Sequence, residues 1–324
     1  MSKTEHWAFP GELQPKPGDV SFDLAAALEA VVALRADVPE DASSAPILGT
    51  ERVGNGVVIR EDGLVLTIGY LILEAETVWL TSGNGRAVAG HPLAIDFDTG
   101  IGLVAPLGRL DVPAIELGSA AGIMAGDEAY VLGSGGHNHA LKAEVFARRE
   151  FAGTWEYLLD EALFTTPAHP EWSGAALLSE DGRLAGIGSL FIQEASSSGV
   201  VKGNMFVPID TYTAVHDDLL HFGRRHGLPR PWLGMYTDET PDGLIVTGLA
   251  PAGPAERAGI ATGDIVLEVA GDRVDALAEF YRKVWRRGPA GTAIRLTLAR
   301  NGTPLHVDVA SIARNDSLKK PRLQ

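Results

Sequence analysis

The chain has 324 residues, of which 45% are hydrophobic and 21% are charged, and its formal net charge is −15. This acidity disfavours contact with a phosphate backbone, so we expect no nucleic-acid partner. Cysteine is absent, which excludes disulfides, thiolate metal sites and a cysteine nucleophile. The length predicts about two domains, at roughly 150 residues per domain.

Residues 1–47 are predicted to form an extended arm and one helix. The arm contains several prolines and no apolar signal-peptide core, and no later segment reaches the roughly 18 consecutive apolar residues of a membrane span. We therefore expect no membrane partner and a cytoplasmic location. Trp7 and Phe9 are aromatic residues of the arm that could pack on a neighbouring surface or subunit. The stretch 21–39 has the apolar spacing of a helix.

Short strands dominate residues 48–226. Apolar runs such as VGNGVVI, TVWLT and IGLVAPL alternate with tight turns such as GNG at 83–85. About a dozen such strands without regular helices between them predict an antiparallel sandwich or a pair of barrels. A helix is predicted to begin near Asp210, and the prolines of LPRPW mark a linker after it.

A second compact unit occupies residues 230–312. WLGMY, GLIVTGL and DIVLEVAG predict strands, and PAGPAERAG predicts a short helix. Residues 275–287 predict an amphipathic helix, and a hairpin follows on an Asn301-Gly302 turn. Residues 313–324 form a polar tail.

Four sequence blocks follow one another in a fixed order: GNGVVIREDGLVLT, DFDTGIGLV, EWSGAALLSEDGRLAGI and FVPID. This order resembles the trypsin-like protease domain of the HtrA family. The stretch from WLGM to DALAEF resembles the PDZ domain that follows the protease domain in that family. The resemblance implies a mainly β fold, in which two six-stranded trypsin-type barrels precede an α+β PDZ domain, and it implies no cofactor.

The catalytic triad of the family is only partly retained. The resemblance places the nucleophile at Ser173, the general base at Tyr70 and the orienting acid at Gly100. A phenol has a reference pKa near 10, so it cannot serve as a base at neutral pH without a very large shift. Asp96 and Asp98 flank the acid position, but we interpret both as ordinary turn acids.

The resemblance also places Glu171 at an oxyanion-hole position, two residues before the serine. Glutamate need not adopt the backbone geometry of the family's glycine, and its carboxylate disfavours a developing oxyanion. We therefore predict that Ser173 is a relic nucleophile. The alternative is a serine endopeptidase with a displaced base. The candidates for that base are His169, four residues before the serine, and also His91, His137 and His139. His137 and His139 suggest a metal site only weakly, and we predict none.

The PDZ-like unit retains the features of a peptide-binding groove. Such a groove offers backbone N–H groups to a terminal carboxylate and a strand edge to the peptide behind it. The resemblance places the carboxylate loop at Trp232, Leu233, Gly234 and Met235. The predicted helix 275–287 forms the other wall, with candidate residues Leu277, Phe280, Tyr281 and Val284. The groove could instead hold the protein's own tail or a loop of the barrel.

The sequence thus favours a catalytically inactive HtrA-like pseudoprotease that binds peptides or protein C-termini as a scaffold, adaptor or regulatory subunit. Other expected partners are an active relative or further copies of the chain, as a trimer with Trp7 and Phe9 in the interface. The resemblance adds the periplasm as the alternative location. Tyr70, Trp172 and nearby histidines could also line a small-molecule pocket.

Overall fold

The computed structural model describes residues 7–196 and 199–319. Within them the chain forms two closed six-stranded barrels, followed by a six-stranded sheet. The predicted barrel pair and the following α+β unit are confirmed. No helix in the described part of the chain is long and apolar enough to cross a membrane.

The first barrel contains six strands and three short helices. Their bounds are α1 (Leu24–Glu29), β1 (Val31–Asp37), α2 (Ala45–Leu48), β2 (Glu51–Val58), β3 (Val65–Ile68), α3 (Gly69–Ile72), β4 (Thr77–Thr81), β5 (Ala87–Ile95) and β6 (Ile101–Pro106). The barrel closes in the order β1-β2-β3-β6-β5-β4.

The predicted helix over 21–39 is wrong beyond Glu29. Asp23 caps α1 by accepting a hydrogen bond from the N–H of Ala26, but the chain then becomes strand β1. Strand β1 pairs with β2 on one side and with β4 on the other, so it is one of the strands that close the barrel. Its valines suit a pleated, buried surface, and tertiary pairing overrides the local helical spacing. The barrel therefore begins within the segment that the sequence assigned to the arm.

The second barrel contains six strands, and two helices follow it. Their bounds are β7 (Glu128–Leu132), β8 (Ala140–Gly153), β9 (Tyr157–Thr166), β10 (Ala176–Leu178), β11 (Leu184–Ser196), β12 (Gly199–Pro208), α4 (Ile209–Thr213) and α5 (His216–Phe222). The barrel closes in the order β10-β11-β12-β9-β8-β7. The long β8–β9 hairpin brings its tip, residues 153–157, to the third unit.

The third unit is an antiparallel sheet with one long helix against it. The bounds are β13 (Met235–Thr240), β14 (Gly243–Leu249), α6 (Pro254–Arg257), β15 (Ile265–Val269), β16 (Asp272–Arg273), α7 (Leu277–Arg286), β17 (Ala293–Arg300) and β18 (Thr303–Ala310). Helix α7 buries, in the apolar core of this unit, the four residues that the sequence offered as candidates for the groove wall, namely Leu277, Phe280, Tyr281 and Val284. Their spacing forms one apolar stripe of a helix.

The two acids that the sequence assigned to an ordinary turn instead hold the linker. Asp96 is only 3% exposed, accepts a hydrogen bond from Thr99 Oγ1 at 2.7 Å and pairs with Arg225 at 2.8 Å. Asp98 pairs with Arg230 at 3.2 Å. Burial raises the pKa of Asp98, and the charge of Arg230 opposes that shift. The interpretation of Asp96 and Asp98 as simple turn acids was therefore wrong.

Candidate active site and PDZ groove

Ser173 lies where the two barrels meet. Asn55 of β2 donates through its backbone N–H to the Ser173 carbonyl at 2.8 Å, and its side-chain amide donates to the carbonyls of Glu171 and Ser173 at 2.8 and 3.1 Å. Gly174 has φ +73°, and a Cβ there would lie 2.0 Å from the Asn55 carbonyl oxygen. Only glycine fits this close approach. The position of Ser173 is thus set by backbone contacts between the barrels.

Helix α3 places Tyr70 against the candidate nucleophile. Its hydroxyl oxygen lies 2.8 Å from Ser173 Oγ and 2.8 Å from the carbonyl oxygen of Ser189. A phenol has one proton and a carbonyl only accepts, so Tyr70 donates to Ser189 and the Ser173 hydroxyl donates to Tyr70. Burial raises the pKa of Tyr70 to about 12, against the opposing hydrogen bond with Ser173. Tyr70 therefore stays neutral and is a poor proton acceptor at neutral pH.

The position of the orienting acid is filled by an aromatic ring. Gly100 has φ +79°, and a Cβ on it would lie 3.1 Å from Tyr157 Cε2 and 3.3 Å from Tyr157 Oη. Tyr157 is buried, and its hydroxyl donates to the Thr99 carbonyl at 2.6 Å. The structure therefore brings Tyr70 to Ser173 but places no carboxylate at residue 100.

The N–H group expected in the oxyanion hole is already engaged. The Glu171 N–H donates to His169 Nδ1 at 3.0 Å, and His169 Nε2 donates to the His139 carbonyl at 2.9 Å. These partners fix His169 as the neutral Nε2–H tautomer. Burial lowers the pKa of this fully buried ring. Both ring nitrogens of the candidate displaced base thus bind backbone groups, and neither binds Ser173.

The N-terminal arm packs on the second barrel of the same chain. The Trp7 ring stacks on His139 at a centroid distance of 3.9 Å, and its Nε1 donates to Glu171 at 3.1 Å. Phe9 meets the His169 ring at 5.2 Å. His137 Nε2 lies 2.9 Å from the carbonyl oxygen of the arm residue Pro15. The two loop histidines therefore hold the arm. Within residues 7–196 and 199–319, no group of three His, Asp or Glu side chains is arranged to hold a metal ion.

An apolar cavity of about 510 Å³ lies beside Ser173. Tyr70 and Trp172 line it, as the sequence suggested, but none of the nearby histidines that the structure describes does; Trp155 and Tyr157 from the β8–β9 hairpin complete the aromatic wall. Aromatic and aliphatic walls with a few polar groups are typical of ligand pockets.

The predicted carboxylate loop of the PDZ unit holds a carboxylate of the same chain. The Glu156 side chain accepts hydrogen bonds from three consecutive N–H groups: Leu233 at 3.0 Å, Gly234 at 2.7 Å and Met235 at 3.2 Å. Gly234 has φ +72°, and this turn points the three N–H groups to one place. The fourth predicted loop residue, Trp232, lies outside this cradle because its N–H pairs with the carbonyl of Ile312 at 2.9 Å.

Sequence reasoning did not identify Glu156. It lies at the tip of the β8–β9 hairpin, is 7% exposed and has φ +60°. Burial raises its pKa to about 7, while the three N–H groups and the charge of the half-buried Arg314 oppose that shift. The motif GTWEY indicates a turn but carries no signal for a partner almost 80 residues away in the chain.

The fold and the two sites define a trypsin-type double barrel joined to a PDZ domain. Residues 54–187 match the family described as trypsin-like peptidase domain, and residues 231–310 match the PDZ domain family. The resemblance to HtrA proteins that the sequence indicates is thereby confirmed, in fold and in domain order.

Several bacterial relatives support this assignment. A probable periplasmic serine endoprotease, DegP-like, from Halomonas elongata is 27% identical over 271 residues, which cover 79% of this chain and 56% of that relative. The putative serine protease HhoA from Synechocystis sp. is 26% identical over 283 residues, covering 79% of this chain and 69% of that relative. The chain thus spans little more than half the length of its DegP-like relatives.

Solved structures share the fold. The HtrA-type protease AlgW with decapeptide superposes with a TM-score of 0.53 at 21% identity, covering 93% of this chain and 100% of that one. The serine endoprotease from Yersinia pestis gives a TM-score of 0.51 at 22% identity, covering 90% and 98% of the two chains.

Proposed function

We propose that this chain is an HtrA-type protein that does not hydrolyse peptide bonds and that binds peptide C-termini through its PDZ domain. The observation that carries the first half is the hydrogen bond between Ser173 and Tyr70. Ser173 donates its hydrogen bond to a neutral phenol, which is too weak a base to remove the proton from a nucleophile at neutral pH. The filled acid position at Gly100 and the engaged N–H of Glu171 support the same conclusion.

The expected loss of activity is large. Removal of the histidine or serine from a serine protease triad lowers kcat by about 10⁶-fold. Applied to a typical kcat of about 10 s⁻¹, this leaves about 10⁻⁵ s⁻¹, or roughly one turnover per day. Such a rate falls below the turnover expected of a protein-degrading enzyme.

Peptide binding needs none of the missing groups. In support, the N–H groups of Leu233, Gly234 and Met235 bind a carboxylate in this structure, and the groove that we propose has β13 and α7 as its two walls. A peptide that pairs with β13 and ends at this loop would use the strand-addition mode of recognition.

The test of the silent site is labelling with a fluorophosphonate probe, read by intact mass. The wild type, Ser173→Ala and a competent serine protease are treated side by side, and circular dichroism checks that the wild type and Ser173→Ala are both folded. We expect label on the protease alone. Label on the wild type that is absent from Ser173→Ala would refute the proposal, because it would require an activated serine.

The second candidate is a serine endopeptidase, and the names of the relatives favour it, since they are called serine endoproteases. It would use Ser173 with a base brought in by rearrangement of the site. Hydrolysis of an unfolded protein substrate that is lost in Ser173→Ala would support it. If His169 were that base, kcat/KM would show an apparent pKa near that of histidine, and His169→Ala would abolish the activity.

Location and assembly are further parts of the proposal. The DegP-like relatives are named as periplasmic, so we propose the periplasm and no longer the cytoplasm. Cell fractionation with compartment markers tests this. We also propose a homo-oligomer, a trimer in the first instance, and multi-angle light scattering of the full chain tests it. A monomeric mass at micromolar concentration would contradict the trimer.

A further inference from the structure

The tip of the β8–β9 hairpin occupies the PDZ groove in the way that a bound peptide would. Besides the three contacts of the Glu156 carboxylate, the Thr237 N–H of β13 donates to the Thr154 carbonyl at 3.1 Å. This backbone contact uses the strand edge that a peptide ligand would use. The hairpin tip therefore combines a carboxylate in the loop with a backbone bond to the edge strand.

The opposite wall of the groove also holds the hairpin. The Tyr281 hydroxyl of α7 donates to the Gly153 carbonyl at 2.7 Å and accepts from the Glu156 N–H at 3.2 Å. Leu158, just beyond the tip, belongs to the apolar core of the PDZ domain. The contacts come from both walls and from the loop, so they fill the groove.

Two features make this internal occupant costly. The backbone of Glu156 is in the left-handed region at φ +60°, where a non-glycine residue is strained. Its carboxylate is removed from water, and the charge of the half-buried Arg314 acts on it. A peptide terminus would bring a carboxylate without the hairpin strain, so it can compete.

We propose that Glu156 is an internal ligand of the PDZ carboxylate loop, and that a peptide with a free C-terminus binds only by displacing it. This inference rests on the proposed peptide-binding function, whose regulation it describes. The groove is closed in the free chain, and its apparent affinity is reduced by the fraction of molecules in which Glu156 is bound. The competing ligand is a terminal carboxylate, since its two oxygens can accept from the loop N–H groups as Glu156 does, whereas an amidated terminus keeps one oxygen and turns an NH₂ donor to the loop.

The experiment compares the wild type with Glu156→Ala and the isosteric Glu156→Gln. The matched control is Asp160→Asn, because Asp160 lies on the same hairpin and pairs with Arg282 of α7 without touching the loop. The first readout is hydrogen exchange of the amides of Leu233, Gly234 and Met235. The second is fluorescence anisotropy of a pool of labelled decapeptides that end in Val, Leu or Phe, with free or amidated C-termini.

We expect faster exchange of the loop amides in Glu156→Ala and Glu156→Gln and unchanged exchange in Asp160→Asn. We also expect the free-acid pool to bind both Glu156 variants about tenfold tighter than the wild type, which corresponds to one charge-assisted hydrogen bond. Unchanged loop exchange in both variants, or equal affinity of the wild type and Glu156→Ala, would overturn the inference. The wild type and the variants could all fail to bind the peptide pool while the loop amides of the Glu156 variants still exchange faster. That result would contradict the proposed peptide-binding function but would still support Glu156 as the occupant of the loop.

Discussion

Replacing Gly100 with aspartate is expected to unfold the site and not to restore it. The change places an aspartate where the HtrA family has its orienting acid, so the resemblance alone would predict a gain of catalytic activity. The structure predicts a loss of stability instead. Gly100 has φ +79°, and a Cβ added at this position would lie 3.1 Å from the Tyr157 ring.

The expected destabilisation is about 3 kcal/mol. The left-handed backbone costs a non-glycine residue about 1 kcal/mol, since aspartate tolerates that region better than most residues. Contact with a ring that cannot move adds about 1–3 kcal/mol of overpacking. Tyr157 is such a ring, because it is 3% exposed and is anchored by its bond to the Thr99 carbonyl.

Urea unfolding followed by tryptophan fluorescence measures the effect. Gly85→Asp is the matched control, because Gly85 has φ +84° but nothing lies within 4 Å of its missing Cβ. The free energy of unfolding of Gly85→Asp should fall by only about 1 kcal/mol, because backbone strain is the sole cost. Equal stability losses in the two variants would refute the role of Tyr157. Wild-type stability of Tyr70→His/Gly100→Asp, with fluorophosphonate label on Ser173, would refute the whole argument.

Three further predictions follow from single contacts. Tyr70→Phe removes the donor to the Ser189 carbonyl and should lower the unfolding free energy by about 1 kcal/mol without any change in hydrolysis, as urea titration and a casein assay can check. Asp96→Asn breaks the pair with Arg225 and should cost about 1–3 kcal/mol in the same titration, with high salt failing to mimic it because Asp96 is buried. Burial raises the pKa of Glu156 from 4.5 to about 7, so the folded state holds its proton more tightly than the unfolded state. Stability from this group is complete below about pH 4.5 and is lost as pH rises through about 7, so the melting temperature of wild type relative to Glu156→Gln should fall between pH 5 and pH 8. A constant difference would contradict the burial of that carboxyl.

The barrels and the PDZ domain could be predicted because their signals are local. Alternating apolar runs separated by tight turns define most strands, and the amphipathic spacing of 275–287 predicts α7 within two residues of its observed bounds. Strand β1 could not be predicted in this way. The spacing of its residues fits a helix, and only its pairing with β2 and β4 makes it a strand.

The candidate site was predictable in its residue types but not in its contacts. The substitutions at Tyr70 and Gly100 are visible in the sequence and predict a missing base and a missing acid. The sequence does not reveal that Tyr157 fills the acid position or that Glu156 enters the PDZ loop. Both contacts exist because the β8–β9 hairpin extends across a domain boundary, and the spacing of apolar residues along the chain does not predict how far a hairpin extends.

The contacts of Asn55 give the serine loop a structural role that does not depend on catalysis. Besides binding the carbonyls of Glu171 and Ser173, its side-chain oxygen accepts from the Ser134 N–H at 2.8 Å. This one side chain thus connects the first barrel to two loops of the second barrel through hydrogen bonds. Removing the Ser173 hydroxyl leaves the joint intact, whereas Asn55→Ala would loosen the two halves of the molecule. The serine loop would keep its shape in a protein that cleaves nothing.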